Sequence, residues 1–223
     1  FPGTVNEAAT ATYSASATDP GADTLTFTWN FGDGSDPVTG ASVQYAYRDN
    51  GNFTVTLTVH DGTEGVTRSQ PISVQNVAPV IRSLAGDQLG LEADTFSFAA
   101  TATDVAGPAD PLTFTWNFGD GTPNQSGVDL TAVDHVYLDA GQYTLRLTVT
   151  DGDGGSTNQS LIIQVGNAAP VISELTGVET GNEGDSLSFS ATASDPGGDT
   201  LTFTWSFGDG SDNVVGVGLD ALS

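Results

Sequence analysis

The chain has 223 residues and a formal net charge of −24, because 28 acidic side chains face only four basic ones, and it contains no cysteine. Nucleic acids and anionic membrane surfaces are therefore poor partners, since binding to them begins with phosphate neutralisation by Lys and Arg. Disulfides and thiolate metal sites are excluded. No apolar run approaches the roughly 20 residues of a membrane-spanning helix, so we expect no membrane insertion of this segment.

One sequence pattern occurs three times along the chain. The segment LTFTWNFGDG at Leu25 returns at Leu112 and, with Ser for Asn, at Leu201, so its tryptophans are 87 and 89 residues apart. Its alternation of apolar residues with Thr is typical of a half-buried strand, and a second alternating segment at Phe53 returns at Tyr143. The sequence therefore predicts an all-β fold, with three tandem sandwiches of about seven strands each.

Short proline-containing linkers divide the repeats, with QNVAPVI at Gln75 and GNAAPVI at Gly166. Proline restricts its own φ and that of the residue before it, so we expect the domains, residues 1–76, 77–166 and 167–223, to form a semi-rigid rod. The first domain lacks an opening strand and the third stops before its last strands. We therefore expect a window on a longer array; alternatively, neighbouring chains complete each other's domains by strand addition and form a filament.

These repeated motifs resemble the PKD (polycystic kidney disease) domain, whose pattern is W-D-F-G-D-G, then H-x-Y, then G-x-Y-x-V-x-L-x-V-x-D. The match covers nearly the whole chain, although Asn30, Asn117 and Ser206 replace the first Asp and Tyr45 replaces the His. The resemblance implies an immunoglobulin-like β-sandwich, an extracellular or cell-surface location and no catalytic activity. In microbes, such domains resemble spacers, adhesive modules or accessory domains beside secreted hydrolases.

Catalytic motifs are missing from the sequence. It contains no G-x-S-x-G elbow, no H-E-x-x-H and no phosphate-binding G-x-x-x-x-G-K. His60 lies on the outward face of a predicted strand and His135 matches the H-x-Y position, so we expect both to form local hydrogen bonds. Asp33, between Gly32 and Gly34, is predicted to be a turn residue. We therefore expect no enzymatic activity.

Acidic loops are expected to meet at the two junctions between repeats, because the strand order places loops of successive domains on either side of each linker. The predicted ligands are Glu7, Asn76, Asp104, Asp110, Asp151 and Asp153 at the first junction, and Glu92, Asn167, Asp195 and Asp199 at the second. Oxygen ligands of this kind suit Ca²⁺, which would lock the angle between domains. Alternatively, these residues only form turns, for which Asp-Pro, Asp-Gly and Asn-Gly need no metal.

The sequence thus predicts a non-catalytic, extracellular structural or adhesive segment, a rod or filament of tandem domains that interdomain calcium would stiffen. The alternative is an accessory substrate-binding or spacer module of a secreted hydrolase. Expected partners are the neighbouring repeats, further copies of the chain in a filament, and a surface protein or polysaccharide.

Overall fold

A computed structural model describes residues 1–222, which form β-strands and one short 3₁₀ helix, Gly107–Ala109. The strands of the first repeat are β1 (Thr4–Asn6), β2 (Ala11–Ser14), β3 (Thr26–Asn30), β4 (Val38–Thr39), β5 (Ser42–Tyr45), β6 (Gly51–His60) and β7 (Gly65–Gln75). Those of the second are β8 (Val80–Gly86), β9 (Leu89–Leu91), β10 (Thr95–Thr103), β11 (Thr113–Asn117), β12 (Gln125–Val128), β13 (Ala132–Val136), β14 (Gly141–Thr150) and β15 (Ser156–Gly166). Those of the third are β16 (Val171–Gly177), β17 (Phe189–Ser194), β18 (Thr202–Trp205), β19 (Val214–Val217) and β20 (Ala221–Leu222). Within this part of the chain, no helix has the length and apolar character needed to cross a membrane.

The second repeat is a two-sheet sandwich. One sheet has the order β12-β11-β14-β15-β9 and the other β13-β10-β8. All pairs are antiparallel except β15 with the short β9, which run parallel. Alternate residues of the two sheets face each other around buried Trp116, whose indole N–H donates to the Leu130 carbonyl at 2.9 Å. The predicted all-β sandwich is confirmed.

The first repeat has a core of its own. Its sheets have the orders β1-β7-β6-β3-β4 and β2-β5, and its buried cluster runs from Tyr13 to Val74 around Trp29. The cluster of the second repeat contains only residues from Ile81 to Val165. In the linker between them, Asn76 and Val77 are half-buried and Pro79 is buried, so its backbone polar groups need partners.

The third repeat is open on one side. Its sheets are β16-β17-β20 and β18-β19, so one edge of β18 has no strand partner within residues 1–222. In the second repeat, the equivalent edge of β11 pairs with β14. Ile172 and Leu175 are accordingly 67% and 69% exposed, and Trp205 is only partly buried. Among the described residues, β18 therefore has one unpaired edge.

The FGDG turn ends the tryptophan strand in a backbone conformation that requires glycine. Gly119 has a φ of +83°, and a Cβ at this position would lie 2.6 Å from the Thr144 carbonyl oxygen on β14. The next residue, Asp120, accepts hydrogen bonds on Oδ1 from the backbone N–H and hydroxyl of Thr122, at 3.1 and 2.6 Å. Asp33 does the same with Ser35 in the first repeat. The predicted turn role is confirmed.

The same aspartate also reaches across to the opposite sheet. Oδ2 of Asp120 lies 2.7 Å from Nε2 of His135, whose ring stacks on Phe118 at a centroid distance of 3.8 Å. In the first repeat the hydroxyl of Tyr45 donates to Oδ2 of Asp33 at 2.5 Å. Tyr45 and His135 are therefore equivalent. The turn aspartate links the two sheets at the end of each of these sandwiches, which the sequence interpretation did not include.

Candidate cation sites at the repeat junctions

A buried glutamate of the preceding repeat holds each of the two linkers. Glu7 lies just after β1 and Glu92 just after β9. Glu7 Oε1 accepts a hydrogen bond from the backbone N–H of Val77 at 2.7 Å, and Glu92 Oε1 accepts one from Ala168 at 2.8 Å. We call Glu7 and Glu92 the linker glutamates. Both are only 2% exposed. Their second carboxylate oxygens are left for other partners.

The loops that present the linker glutamates turn through left-handed residues. Ala8 has a φ of 55° and Ala93 a φ of 64°, and their N–H groups donate to the carbonyls of Tyr47 and Tyr137. An alanine in this conformation costs about 1 kcal/mol. The position of the glutamate is thus fixed by a strained turn.

Five carboxylates meet at the first junction, and we call them the first-junction cluster. Ligand oxygens of Glu7, Asp104 and Asp110 lie within 4.8 Å of one another, and so do those of Asp49, Asp110 and Asp153. Glu7 and Asp49 belong to the first repeat and the other three to the second. Oxygens on opposite sides of a calcium ion are about 4.8 Å apart, since each Ca–O distance is about 2.4 Å. Both groups therefore have the spacing of a divalent-cation site.

Buried oxygens without a hydrogen-bond partner concentrate at this junction. Among residues 1–222, the buried side-chain polar atoms lacking a partner are Tyr13 Oη, Glu7 Oε2, Asn76 Oδ1, Asp104 Oδ2 and Asp110 Oδ2. Four of these five belong to predicted ligands of the first junction. A buried polar atom without a partner is costly. Three of these acceptors, on Glu7, Asp104 and Asp110, belong to one carboxylate group, which indicates that something positive belongs between them.

The electrostatics of the cluster point the same way. Burial, a side-chain hydrogen bond with Asp153 and the adjacent charges of Asp153, Glu7 and Asp49 together raise the pKa of Asp110 to about 7. Burial also raises the pKa of Glu7, against the opposing effect of its hydrogen bond from Val77. Two carboxylates 4 Å apart repel by about 4 kcal/mol at an effective dielectric of 20. A cation would relieve both costs.

Asn76 and Asp151 contact each other rather than the three-carboxylate groups. The Asn76 amide donates to Asp151 Oδ2 at 3.0 Å, while Asp151 Oδ1 accepts from the N–H groups of Asp153 and Gly155 at 3.0 and 2.7 Å. This arrangement fixes the start of the second repeat against its β14–β15 turn. It also orients Asp153, whose carboxylate is in the cluster.

The second junction gathers a smaller set. Ligand oxygens of Glu92, Asp195 and Asp199 lie within 4.8 Å of one another. A Cβ on Gly197 would lie 2.6 Å from Glu92 Cδ, so the loop of the third repeat packs closely on the linker glutamate. The amide N–H of Asn167 donates to the neighbouring Ala168 carbonyl at 2.6 Å, and metal binding through its Oδ1 stays a prediction.

Sequence reasoning missed Asp49, although a signal for it was present. Asp49 precedes β6, and β6 begins at the end of the sandwich where the loop of Glu7 also turns, since Ala8 N–H donates to the Tyr47 carbonyl. A survey of all loops at that end would have included it. Metal binding by the other predicted residues remains a prediction that the geometry supports.

The two histidines have local partners, as expected. Nδ1 of His60 accepts the N–H of Gly62 at 2.8 Å, and His135 is held by Asp120. Neither histidine belongs to one of the carboxylate groups. The junctions therefore offer oxygen ligands for a hard divalent cation and lack the nitrogen and sulfur donors that Zn²⁺ prefers.

Comparison with known proteins agrees with the repeat pattern. The family model of the PKD domain matches residues 1–75, 76–165 and 167–219 of this chain. Chitinase A of Pseudoalteromonas piscicida is 31% identical over 152 residues, which is 64% of this chain and 17% of that protein. Human polycystin-1 is 25% identical over 214 residues, 84% of this chain and 5% of that protein.

Two further proteins are similar to part of the chain. The pre-pro-metalloprotease PrtV of Vibrio cholerae is 29% identical over 108 residues, 48% of this chain and 11% of that protein. The crystal structure of the PKD1 domain of Vibrio anguillarum Epp is 31% identical and covers 41% of this chain and 98% of that domain, with a TM-score of 0.33. The chain thus spans less than a fifth of the length of these curated relatives. The three segments that match the family model together span almost the whole chain, and the chain therefore belongs to the PKD domain family.

Proposed function

We propose that the chain is a non-catalytic, extracellular structural segment in which tandem PKD domains form a semi-rigid rod, and that calcium at the junctions stiffens it. The observation that carries this proposal is the set of four buried, unpartnered acceptor oxygens at the first junction. Relatives that carry PKD domains within much longer proteins support a spacer role. The mechanism is mechanical rather than chemical.

The linker glutamates couple the linker to the cation site. Glu7 uses one oxygen to hold the N–H of Val77 and leaves Oε2 among the acids of the next repeat. A cation bound to Oε2, Asp104 and Asp110 would connect the first repeat, the linker and the second repeat through one side chain. Without the cation, repulsion between these carboxylates favours an opened junction.

Thermal unfolding of the full chain with and without calcium tests the proposal. Free Ca²⁺ at 100 times its Kd stabilises the state that binds it by about 2.7 kcal/mol. For repeats of this size we expect calcium to raise the Tm by at least about 4 °C. Mg²⁺ should have a smaller effect, since it demands a tighter octahedral geometry.

Matched variants assign the effect to the junction. The double variant Asp104→Asn/Asp110→Asn should lose most of the calcium-dependent rise in Tm. The control Asp36→Asn/Asp212→Asn removes the same charge from FGDG-flanking loops outside the carboxylate groups and should keep the rise. A Tm of the unmodified chain that millimolar calcium leaves unchanged would refute calcium stiffening.

An accessory role beside a hydrolase is the second candidate, and the relatives favour it, because chitinase A and PrtV are named as enzymes. Such a module binds substrate or only spaces domains. Polysaccharide binding commonly uses exposed aromatic rings, and within residues 1–222 Phe1 and Phe207 are the exposed aromatic residues. We therefore favour spacing. Retention of the chain on insoluble chitin, lost in Phe1→Ala/Phe207→Ala, would support substrate binding instead.

We also propose that the edge of β18 without a strand partner within residues 1–222 accepts a strand from a second copy of the chain. The exposed Ile172 and Leu175 would be covered by a strand with the alternation of β14. Light scattering after size exclusion tests this, with a dimer or larger species expected at high concentration. A strictly monomeric chain would exclude self-association.

A further inference from the structure

We propose that the first junction binds two calcium ions, an inner and an outer one, with Asp110 bridging them. This inference rests on the proposed function and deepens it by giving the number of ions and their ligands. The inner ion would be held by Glu7 and Asp104 and the outer ion by Asp49 and Asp153, each together with Asp110.

We assign the bridging role to Asp110 because it belongs to both carboxylate groups of the first junction. Oxygens of Asp110 lie within 4.8 Å of those of Glu7 and Asp104 and also within 4.8 Å of those of Asp49 and Asp153. Asp110 is 2% exposed, and its Oδ2 has no hydrogen-bond partner. A carboxylate has two oxygens with about four lone-pair positions, so it can serve two cations at once.

A longer loop brings Asp110 to this position. The loop that leads into the tryptophan strand is DVAGPAD at residues 104–110, whereas the first and third repeats have the shorter DPGAD at 19–23 and DPGGD at 195–199. The additional residues form the 3₁₀ helix Gly107–Ala109, and the N–H of Asp110 donates to the Gly107 carbonyl at 3.2 Å. Asp110 corresponds to Asp199, the final aspartate of the shorter third-repeat loop, which lies with Glu92 and Asp195 at the second junction. The 3₁₀ turn therefore changes the path of the loop that ends in this aspartate.

The two ions would differ in affinity because their surroundings differ. Glu7 and Asp110 are buried and Asp104 is half-buried, so the inner group is shielded from solvent. On the outer side Asp49 is half-buried and Asp153 is exposed. Calcium affinity increases with ligand charge and site rigidity, and we therefore expect the inner ion to bind first and the outer ion to dissociate first.

Two ions would restrict the junction more than one. Each group combines one carboxylate of the first repeat, Glu7 or Asp49, with two of the second. A single cross-link leaves rotation about its own position, whereas two cross-links from different loops oppose both bending and twisting. The second junction provides one group of three carboxylates among the described residues.

Ion counting by native mass spectrometry tests this inference. In the full chain, Glu92→Gln/Asp195→Asn/Asp199→Asn removes the carboxylates of the second junction, so that the ions counted belong to the first. This parent should bind two Ca²⁺. Adding Asp49→Asn/Asp153→Asn should leave one, adding Glu7→Gln/Asp104→Asn should leave one, and adding Asp110→Asn should weaken both at least tenfold.

The substitutions are chosen to keep the fold. Asn at position 49 retains the acceptor for the Asn50 N–H, Asn at position 104 retains the acceptor for the Ala106 N–H, and Gln at position 7 retains the acceptor for the Val77 N–H. Near-ultraviolet circular dichroism of each calcium-free variant should match that of the parent. Luminescence energy transfer between Tb³⁺ and Eu³⁺ bound to the same chain checks that the two ions are adjacent.

The outcomes separate the two proposals. If the unmodified chain binds no calcium, both this inference and calcium stiffening are wrong. If the parent binds one ion, or if Asp49→Asn/Asp153→Asn leaves the count and affinities unchanged, the second ion is wrong while calcium stiffening stands. Absence of energy transfer in a chain that holds two lanthanides would refute the bridge through Asp110.

Discussion

Asp120 accepts hydrogen bonds from Thr122 on one carboxylate oxygen and contacts His135 with the other. Partial burial opposes its ionisation, but the hydrogen bonds from Thr122 and His135 outweigh burial and lower its pKa. The carboxylate is therefore stabilising above the ordinary pKa of Asp, near pH 4, and this contribution is lost as the pH falls through the lowered value. The residue connects turn geometry with sheet-to-sheet packing.

Replacing Asp120 by Ala should therefore destabilise the second repeat. We expect the free energy of unfolding to fall by about 2 kcal/mol at pH 7, because a turn acceptor and a partly buried partner of His135 are both lost. Urea titration followed by tryptophan fluorescence measures it. His135→Tyr is the control, since Tyr45 fills this position in the first repeat, and it should change stability by less than about 0.5 kcal/mol. Equal losses in the two variants would contradict the assignment.

Replacing Ala93 by Gly should raise the stability of the chain, in contrast to the loss expected for Asp120→Ala. It adopts a φ of 64° in the loop that presents Glu92, whereas the third repeat has Gly184, with a φ of 89°, after Glu183 in its NEGD loop. Ala93→Gly should stabilise the chain by about 0.5 kcal/mol, because relief of left-handed strain exceeds the added entropy of the unfolded chain. Thermal unfolding detects the gain. A loss of stability would show that the turn is not strained.

At the scale of strands, the two glycines of the second FGDG turn share a left-handed φ, but only one of them packs closely on β14. Gly119 and Gly121 have φ values of +83° and +86°. A Cβ on Gly119 would clash with the Thr144 carbonyl, whereas a Cβ on Gly121 would meet no atom within 4 Å. Gly121→Ala should cost about 1 kcal/mol from backbone strain alone, and Gly119→Ala at least about 2 kcal/mol more. Chemical denaturation of both variants checks the difference. Similar costs would mean that β14 moves away easily.

The strands and their cores were predictable because period-two alternation is local. Phe114, Trp116, Leu145 and Leu147 are buried as their alternation requires, and Ile163 completes the same core. The predicted ligands depend on loops from two domains. Oxygens of Glu7, Asp104 and Asp110 lie within 4.8 Å of one another because strand order decides which loops share an end, and their metal binding stays a prediction.

Asp49 and Asn167 show the limit of that reasoning. Asp49 joins the cluster from the loop before β6, which strand order places at the same end of the sandwich as Glu7, although no repeated motif marks this residue. Asn167 forms a bond with the adjacent Ala168 carbonyl, although its equivalent Asn76 reaches Asp151. Whether a side chain turns inward depends on a partner from a distant strand, and alternation does not describe such partners.

For the whole molecule, pH and calcium should act on the same junction. The pKa of Asp110 is about 7, well above its ordinary value, so the folded chain holds a proton there that the unfolded chain releases near pH 4. Its stabilising contribution is full below about pH 4 and lost as the pH rises through 7. Without divalent cations, the free energy of unfolding should therefore decline between pH 5 and 8 by at least about 1 kcal/mol.

Two controls identify the source of that decline. Asp110→Asn should remove most of it, because the amide does not titrate and only the raised pKa of Glu7 remains, whereas Asp36→Asn/Asp212→Asn should retain it. Saturating calcium should also remove it, since the ion binds the ionised form. Urea titrations at a series of pH values measure the effect. A decline that persists unchanged in Asp110→Asn would place its origin elsewhere in this highly acidic chain.

Small-angle X-ray scattering of the full chain tests calcium stiffening most directly, by comparing the distribution of interatomic distances with calcium and with a chelator. We predict that calcium gives an extended particle with a defined maximum dimension, that the chelator broadens the distribution, and that Asp104→Asn/Asp110→Asn resembles the chelated state in both conditions. Identical scattering of the unmodified chain in the two conditions would contradict calcium stiffening of the rod.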